Sequence, residues 1–80
     1  MNFTLFSTSA CHLCEQAEHM LTQLDLLSEC LIIDIAEDDA LLQRYGIRIP
    51  VLLRSYDQAE LGWPFEEHSL QAFTAYQQGD

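Results

Sequence analysis

The chain of 80 residues has no lysine, and its cations are Arg44, Arg48 and Arg54 against thirteen acidic residues, a formal charge of −10. Nucleic-acid binding depends on clustered cations that neutralise phosphates, and an acidic chain repels them, so no nucleic-acid partner is expected. Long apolar runs are also missing. Nothing approaches the roughly 18 apolar residues of a membrane span, and no membrane association is expected. No lysine or arginine precedes the first apolar residues, and no long apolar block follows them. That pattern is neither a signal peptide nor a transit peptide, and the expected compartment is the cytoplasm.

A chain this short reads as a single domain over residues 1–80, without repeats, linkers or low-complexity stretches, and as a monomer. Such a chain buries only about 60% of the surface its unfolded form exposes, so its core must be simple. It has three cysteines, an odd number. A secreted disulfide scaffold usually carries four, six or eight. In a reducing compartment, a close pair such as Cys11 and Cys14 is more often redox-active or metal-binding than structural.

The pattern of apolar residues orders the chain as β-α-β-α-β-β-α. Residues 2–6 alternate polar and apolar side chains and carry β-formers, as a short strand does. From Leu13 the apolar residues fall on one helical face, Leu13, Ala17, Met20, Leu21 and Leu24, with Ser9 or Thr8 as the expected cap. The run from Cys30 to Ile35 is nearly all apolar and β-branched, which predicts a strand buried on both faces of a sheet and parallel to the first. Glu37, Asp38 and Asp39 then suit the start of a short helix through Leu41 and Leu42 to Tyr45, ended by Gly46. Pro50 opens the run Val51–Arg54, and residues 55–58 turn it into Ala59-Glu60-Leu61, a hairpin. A closing helix is expected from Glu66 to Gln78, with Leu70, Phe73 and Tyr76 spaced by three. Gly79 and Asp80 read as a loose end.

Cys11-His12-Leu13-Cys14 falls directly after a strand, at the first turn of a helix. Unpaired amides and the positive end of the helix dipole stabilise a thiolate there, and the thiolate is the nucleophile of disulfide exchange. Cys14, one turn on, is placed to resolve a mixed disulfide. His12, when protonated, favours the thiolate, whereas Glu15, Glu18 and the net charge oppose it. A thiolate pKa moderately below about 8.5 is the expectation. The motif alone also suits zinc or an inert buried pair. Zinc would require two more ligands from Cys30, His12, His19 and His68, which offer no second close pair, and no metal is expected. Cys30 reads as a small core residue, His19 and His68 as solvated, and Trp63 as packing the last helix on the sheet. The acidic run at 37–39 is most simply a helix start.

The C-x-x-C at a helix start, together with Tyr45-Gly46-Ile47-Arg48-Ile49-Pro50-Val51-Leu52-Leu53, resembles the thioredoxin superfamily, and the size resembles its glutaredoxin branch. With Gly62-Trp63-Pro64-Phe65, the chain looks most like short bacterial glutaredoxin-like proteins. The resemblance implies an α/β, three-layer domain with a mixed four-stranded sheet in order 2-1-3-4, the first and third helices on one face and the second on the other. It also implies a small thiol-disulfide oxidoreductase in which Cys11 attacks, Cys14 resolves, and His12, Leu13, Arg48, Ile49 and a cis Pro50 form the substrate surface. The dithiol itself would serve as the cofactor, and the partners would be protein or low-molecular-weight thiols and disulfides.

Familiar glutaredoxins carry Cys-Pro-Tyr-Cys, a basic residue before it and a Gly-Gly pair. Here His12-Leu13 stands in the motif, residues 2–10 lack a cation, and Gly62 stands alone. Glutathione as reductant therefore stays open. Arg48, or Arg44, could meet a carboxylate of glutathione or of a partner protein, or could pair with the acidic surface. The rival readings are a redox-inactive binding module on the same fold and an iron-sulfur carrier through Cys11.

Overall fold

The computed structural model describes residues 2–75. Its elements run β1 (Phe3–Ser7), α1 (His12–Gln23), β2 (Cys30–Asp34), α2 (Asp39–Tyr45), β3 (Val51–Arg54), β4 (Glu60–Gly62) and α3 (Glu67–Ala75), with single 3-10 turns at Leu27–Glu29 and Ile35–Glu37. The sheet has the order β2-β1-β3-β4. β1 pairs parallel with β2 and antiparallel with β3, and β4 closes the hairpin on β3. Element order, strand order and mixed pairing are those the sequence implied. Tyr76, Gln78, Gly79 and Asp80 lie outside the described residues.

Two cores lie on opposite faces of the sheet, because successive side chains of a strand point to opposite sides. Phe3 and Leu5 of β1 and Leu52 of β3 pack on one face with Ala17 and Leu21 of α1 and Leu70 of α3. Phe6 and Val51 pack on the other with Ile35 and Tyr45, beside Leu41 of α2. The first and third helices thus share one face and the second covers the other. Trp63 packs against the first core and meets Phe65 edge to face, with ring centroids 5.2 Å apart. Among the described residues, no helix is long and apolar enough to cross a membrane.

Three details differ from the sequence expectation. β2 is not buried on both faces: Leu31 and Ile32 are 47% and 42% exposed. The apolar run correctly marks a strand, but β2 is an edge strand, and an apolar run cannot tell an edge from a centre. The strand also ends one residue early, at Asp34, whose carboxylate accepts a hydrogen bond from the Ala36 amide at 2.9 Å and turns Ile35 into the second core. In α1 the buried positions are Cys14, Ala17 and Leu21, while Leu13 is exposed. Cys14 lies three residues before Ala17 and seven before Leu21, so it takes the face assigned to Leu13.

The cap of α1 is the third difference. Ala10 adopts a left-handed φ of 58°, which turns the chain so that Cys11, not Ser9 or Thr8, occupies the N-cap. For α2, Asp38 is the N-cap, accepting from the Ala40 and Leu41 amides at 2.9 and 3.2 Å. Gly46 follows α2, where an added Cβ would lie 2.5 Å from the Leu42 carbonyl oxygen. Its role is therefore close approach, not the positive φ usual after a helix, since its φ is −50°. A short helix depends heavily on its cap. Replacing Asp38 by Ala is expected to destabilise the protein by about 1 kcal/mol in urea unfolding, with an unchanged m-value.

Candidate functional site

One end of the sheet collects the residues singled out from the sequence. β1 reaches that end at Ser7, opposite Asp34 of β2, and Phe6 pairs with Val51 of β3. Pro50, one residue before β3, therefore sits at the same end as the turn that delivers Cys11. The Ile49–Pro50 peptide is cis, as the resemblance implied, and Pro50 is fully buried. The Trp63 amide donates to the Pro50 carbonyl at 3.2 Å and continues the hairpin there. Trp63–Pro64 is cis as well, a feature the sequence did not announce.

Cys11 and Cys14 are joined by a disulfide, with Cα atoms 5.2 Å apart. Cys11 is half-buried and its sulfur accepts the Cys14 backbone N–H at 3.2 Å, while Cys14 is buried. Solvent therefore meets Cys11 before Cys14. His12 and Leu13, between the cysteines, are exposed at the opening of α1. The next amide along the helix, Glu15 N–H, donates to the Cys11 carbonyl at 3.1 Å and starts the helical ladder. A sulfur at this position faces the amides that a helix start leaves unpaired.

The stretch before Pro50 is fixed by its own backbone. Arg48 and Ile49 both donate their N–H groups to the Tyr45 carbonyl, at 2.8 and 3.1 Å. An extended chain docking beside Pro50 would therefore meet the carbonyl edge of Ile49. The Arg48 side chain reaches Glu60 Oε1 on β4, at 2.7 Å. Glu60 Oε2 accepts the Tyr45 hydroxyl at 2.6 Å and faces Arg44 at 3.4 Å. Both guanidiniums lie over the Tyr45 ring, 5.4 and 5.3 Å from its centroid, and that ring stacks on Phe6 at 4.2 Å. The Tyr45 hydroxyl, followed by Arg48, holds the Glu60 carboxyl below its ordinary value. Burial first, and then Glu60, pushes the Tyr45 phenol upward.

Sequence reasoning missed Glu60 as the hub of this cluster. The signal was weak: a glutamate in a short strand that only the hairpin register brings under α2. Arg54 forms a second anchor, gripping both Asp57 oxygens at 3.0 and 2.7 Å and donating to the Phe73 carbonyl at 3.0 Å. That contact joins the hairpin to the last turn of α3, where a cation also suits the helix dipole.

The remaining candidates are separate. Cys30 is a free, buried thiol whose sulfur donates to the Leu26 carbonyl at 3.3 Å, and burial, with Glu29 second, pushes its pKa up to about 11. His19 and His68 are exposed. Among the described residues, no group of three His, Cys, Asp or Glu side chains gathers around a possible metal position. An open cleft of about 310 Å³ between Met20, Gln23, Leu24 and Glu67 lies more than two turns along α1 from Cys11.

Two outcomes follow. In native protein at pH 8, Cys30 should resist iodoacetamide and react only on denaturation, read by intact mass; labelling of Cys30 as fast as a model thiol would contradict the buried placement. Glu60 and Asp57 are both held below their ordinary values of 4.5 and 3.8. Their unfolded forms bind protons first as pH falls, so this stability is present above about pH 4.5 and is lost as pH drops through the lower folded values. The urea midpoint of the wild type should fall between pH 6 and pH 3, and its advantage over Glu60→Gln should shrink over the same range.

Comparison with known proteins agrees with the geometry. The sequence profile of the glutaredoxin-like domain family matches residues 2–74. No curated protein matches the chain. The fold is similar to the crystal structure of a structural genomics target protein from X. campestris, with 37% identity, 91% of this chain and 95% of that one covered, and a TM-score of 0.82. It is also similar to a protein from Nitrosomonas europaea, at 25% identity, 90% and 88% coverage and a TM-score of 0.76. A mutant thioredoxin from Halobacterium salinarum matches at 26% identity, over 89% of this chain and 68% of that one, with a TM-score of 0.60.

Proposed function

This chain belongs to the glutaredoxin-like domain family, within the thioredoxin superfamily, and on that premise we propose that it is a small thiol-disulfide oxidoreductase. The observation that carries the reading is the cysteine pair itself: Cys11 caps α1 in an accessible position, with Cys14 buried one turn behind it and bonded to it. In the reducing direction, the Cys11 thiolate attacks one sulfur of a substrate disulfide. A Cys11–substrate disulfide forms and the first substrate thiolate leaves. Cys14, deprotonated, then attacks the Cys11 sulfur, closing the Cys11–Cys14 disulfide and releasing the second thiolate. The substrate gains two electrons and the protein dithiol loses them, while the two protons of the dithiol end on the released thiols. A dithiol or monothiol donor reverses the change.

Three features support the assignment of roles. Negative charge on the Cys11 sulfur is stabilised by the Cys14 N–H and by the start of α1, which favours it as attacking and leaving group. Burial of Cys14 keeps it from external disulfides and leaves the Cys11 mixed disulfide as its target. The exposed His12 and Leu13 and the Ile49 carbonyl edge border the place where substrate would lie. The dithiol is the redox group, so the reading needs no further cofactor. Protein or low-molecular-weight disulfides are its substrates, and the cytoplasm, where thiols are kept reduced, suits it.

An equilibrium titration in glutathione redox buffers, with thiols trapped by alkylation and read by peptide mass, tests the reading. A reversible Cys11–Cys14 couple should appear with a midpoint between roughly −270 and −120 mV, the range spanned by thioredoxin-fold dithiols. Cys11→Ser should lower disulfide reduction at least about a hundredfold, and Cys14→Ser should accumulate a mixed disulfide on Cys11. A pair that never closes, or a Cys11→Ser variant as active as wild type, would overturn the assignment.

A further inference from the structure

The cations of this chain all reach internal partners. Arg54 is bonded to Asp57 and the Phe73 carbonyl, and Arg44 and Arg48 converge on the single carboxylate of Glu60. The arginine nearest the docking edge, Arg48, is also the more tightly held of the two on Glu60, at 2.7 Å against 3.4 Å. Glu60 is well placed to hold it, because its side chain is only 18% exposed and also accepts the Tyr45 hydroxyl. Gly62, opposite Val51, is at the cysteine end, whereas Glu60 lies opposite Leu53, two residues down the strand. The guanidinium is thereby tied to a position on β4 two residues from the cysteine end.

We propose that Glu60 is a specificity-determining residue: by holding Arg44 and Arg48 with its own carboxylate, it denies them to a carboxylate-bearing disulfide, and so directs the protein to disulfides in neutral or cationic protein segments. This rests on the oxidoreductase reading and adds the substrate class. A carboxylate and a guanidinium form a strong planar pair, so an arginine beside a docking edge is the natural receptor for a substrate carboxylate. Here an internal carboxylate already engages one nitrogen of each guanidinium and offsets their charge. No other arginine or lysine lies near Cys11: residues 2–10 carry no cation, Glu15 lies in the first turn of α1, and the chain's net charge is −10. An anionic substrate would meet the repulsion of the net charge without a guanidinium to pair with, whereas a cationic one is drawn in over the range of the Debye length. The Tyr45 carbonyl holds the Arg48 and Ile49 amides whether or not Glu60 is charged, so the docking edge does not depend on the ion pair.

Glu60→Gln tests this, since glutamine retains an acceptor for the Tyr45 hydroxyl and removes the charge that holds the arginines. The probe is S-methylglutathione, which carries a pair of carboxylates and no reactive sulfur, titrated by NMR against the protein. Its dimethyl ester is the control. Glu60→Gln should bind the free acid at least about tenfold more tightly than wild type does, with no gain for the ester. Adding Arg48→Gln should return binding to the wild-type level. In parallel, reduced wild type should be oxidised faster by the tetraester of oxidised glutathione than by oxidised glutathione itself, and Glu60→Gln should narrow that ratio.

Equal affinity of wild type and Glu60→Gln for the free acid, an equal gain for acid and ester, or a gain that survives Arg48→Gln would overturn the proposal. The binding arm involves no sulfur exchange, so its failure is distinct from failure of the redox assignment. A redox-inert wild type would remove the oxidoreductase reading and the substrate class together.

Discussion

Everything in this fold hangs from β1, which, like β3, carries a core on each of its faces and a neighbour on each of its edges, and which joins the parallel pair β1-β2 to the antiparallel pair β1-β3. Phe3 and Leu5 require cover on one side and Phe6 on the other. Helices must therefore pack on both sides of the sheet. Parallel pairing with β2 requires a long crossover, which α1 supplies, and antiparallel pairing with β3 brings the chain back at Pro50. The end of β1 is consequently the point where the crossover begins and where β3 enters. Cys11 and Pro50 are neighbours in architecture because both are fixed to that one strand end.

The site shows how little local machinery such a position needs. A left-handed Ala10 turns the chain, Cys11 takes the cap, and the regular helix places Cys14 against the core. The cap that a serine or aspartate oxygen usually provides is provided here by sulfur. The group that starts the helix is thus the group assigned to chemistry. On the far side of Pro50 the backbone is anchored through the Tyr45 carbonyl, and the Tyr45 ring is anchored on Phe6 of β1. Both walls of the site therefore trace back to the same strand.

Much of this was legible in the chain. Hydrophobic period separated helices from strands, the acidic run marked the start of α2, and C-x-x-C after a strand located the site. What escaped depends on tertiary context. Leu31 and Ile32 look like central-strand residues, and only the strand order exposes them. Leu13 and Cys14 compete for one helical face, and one residue of phase decides it. Ser9 and Thr8 are better caps than cysteine by propensity, but the turn at Ala10 places neither at the helix start. Glu60 gave only a weak sign, because its partners are 16, 15 and 12 residues away and meet it only through the hairpin register.

The pairing of the arginines also determines how the protein responds to ionic strength. Two of their contacts are short, Arg48–Glu60 and Arg54–Asp57 at 2.7 Å, and each has one shielded partner, Glu60 at 18% and Arg54 at 11% exposure. Dissolved salt screens such close contacts less than the repulsion among surface carboxylates, which acts across many ångströms and is cut sharply once the Debye length falls to about 8 Å. Added salt thus relieves the self-repulsion of a chain with a charge of −10 more than it loosens the few attractions. A protein so short of positive charge is in this sense mildly salt-loving, its folded state favoured by moderate salt over dilute buffer.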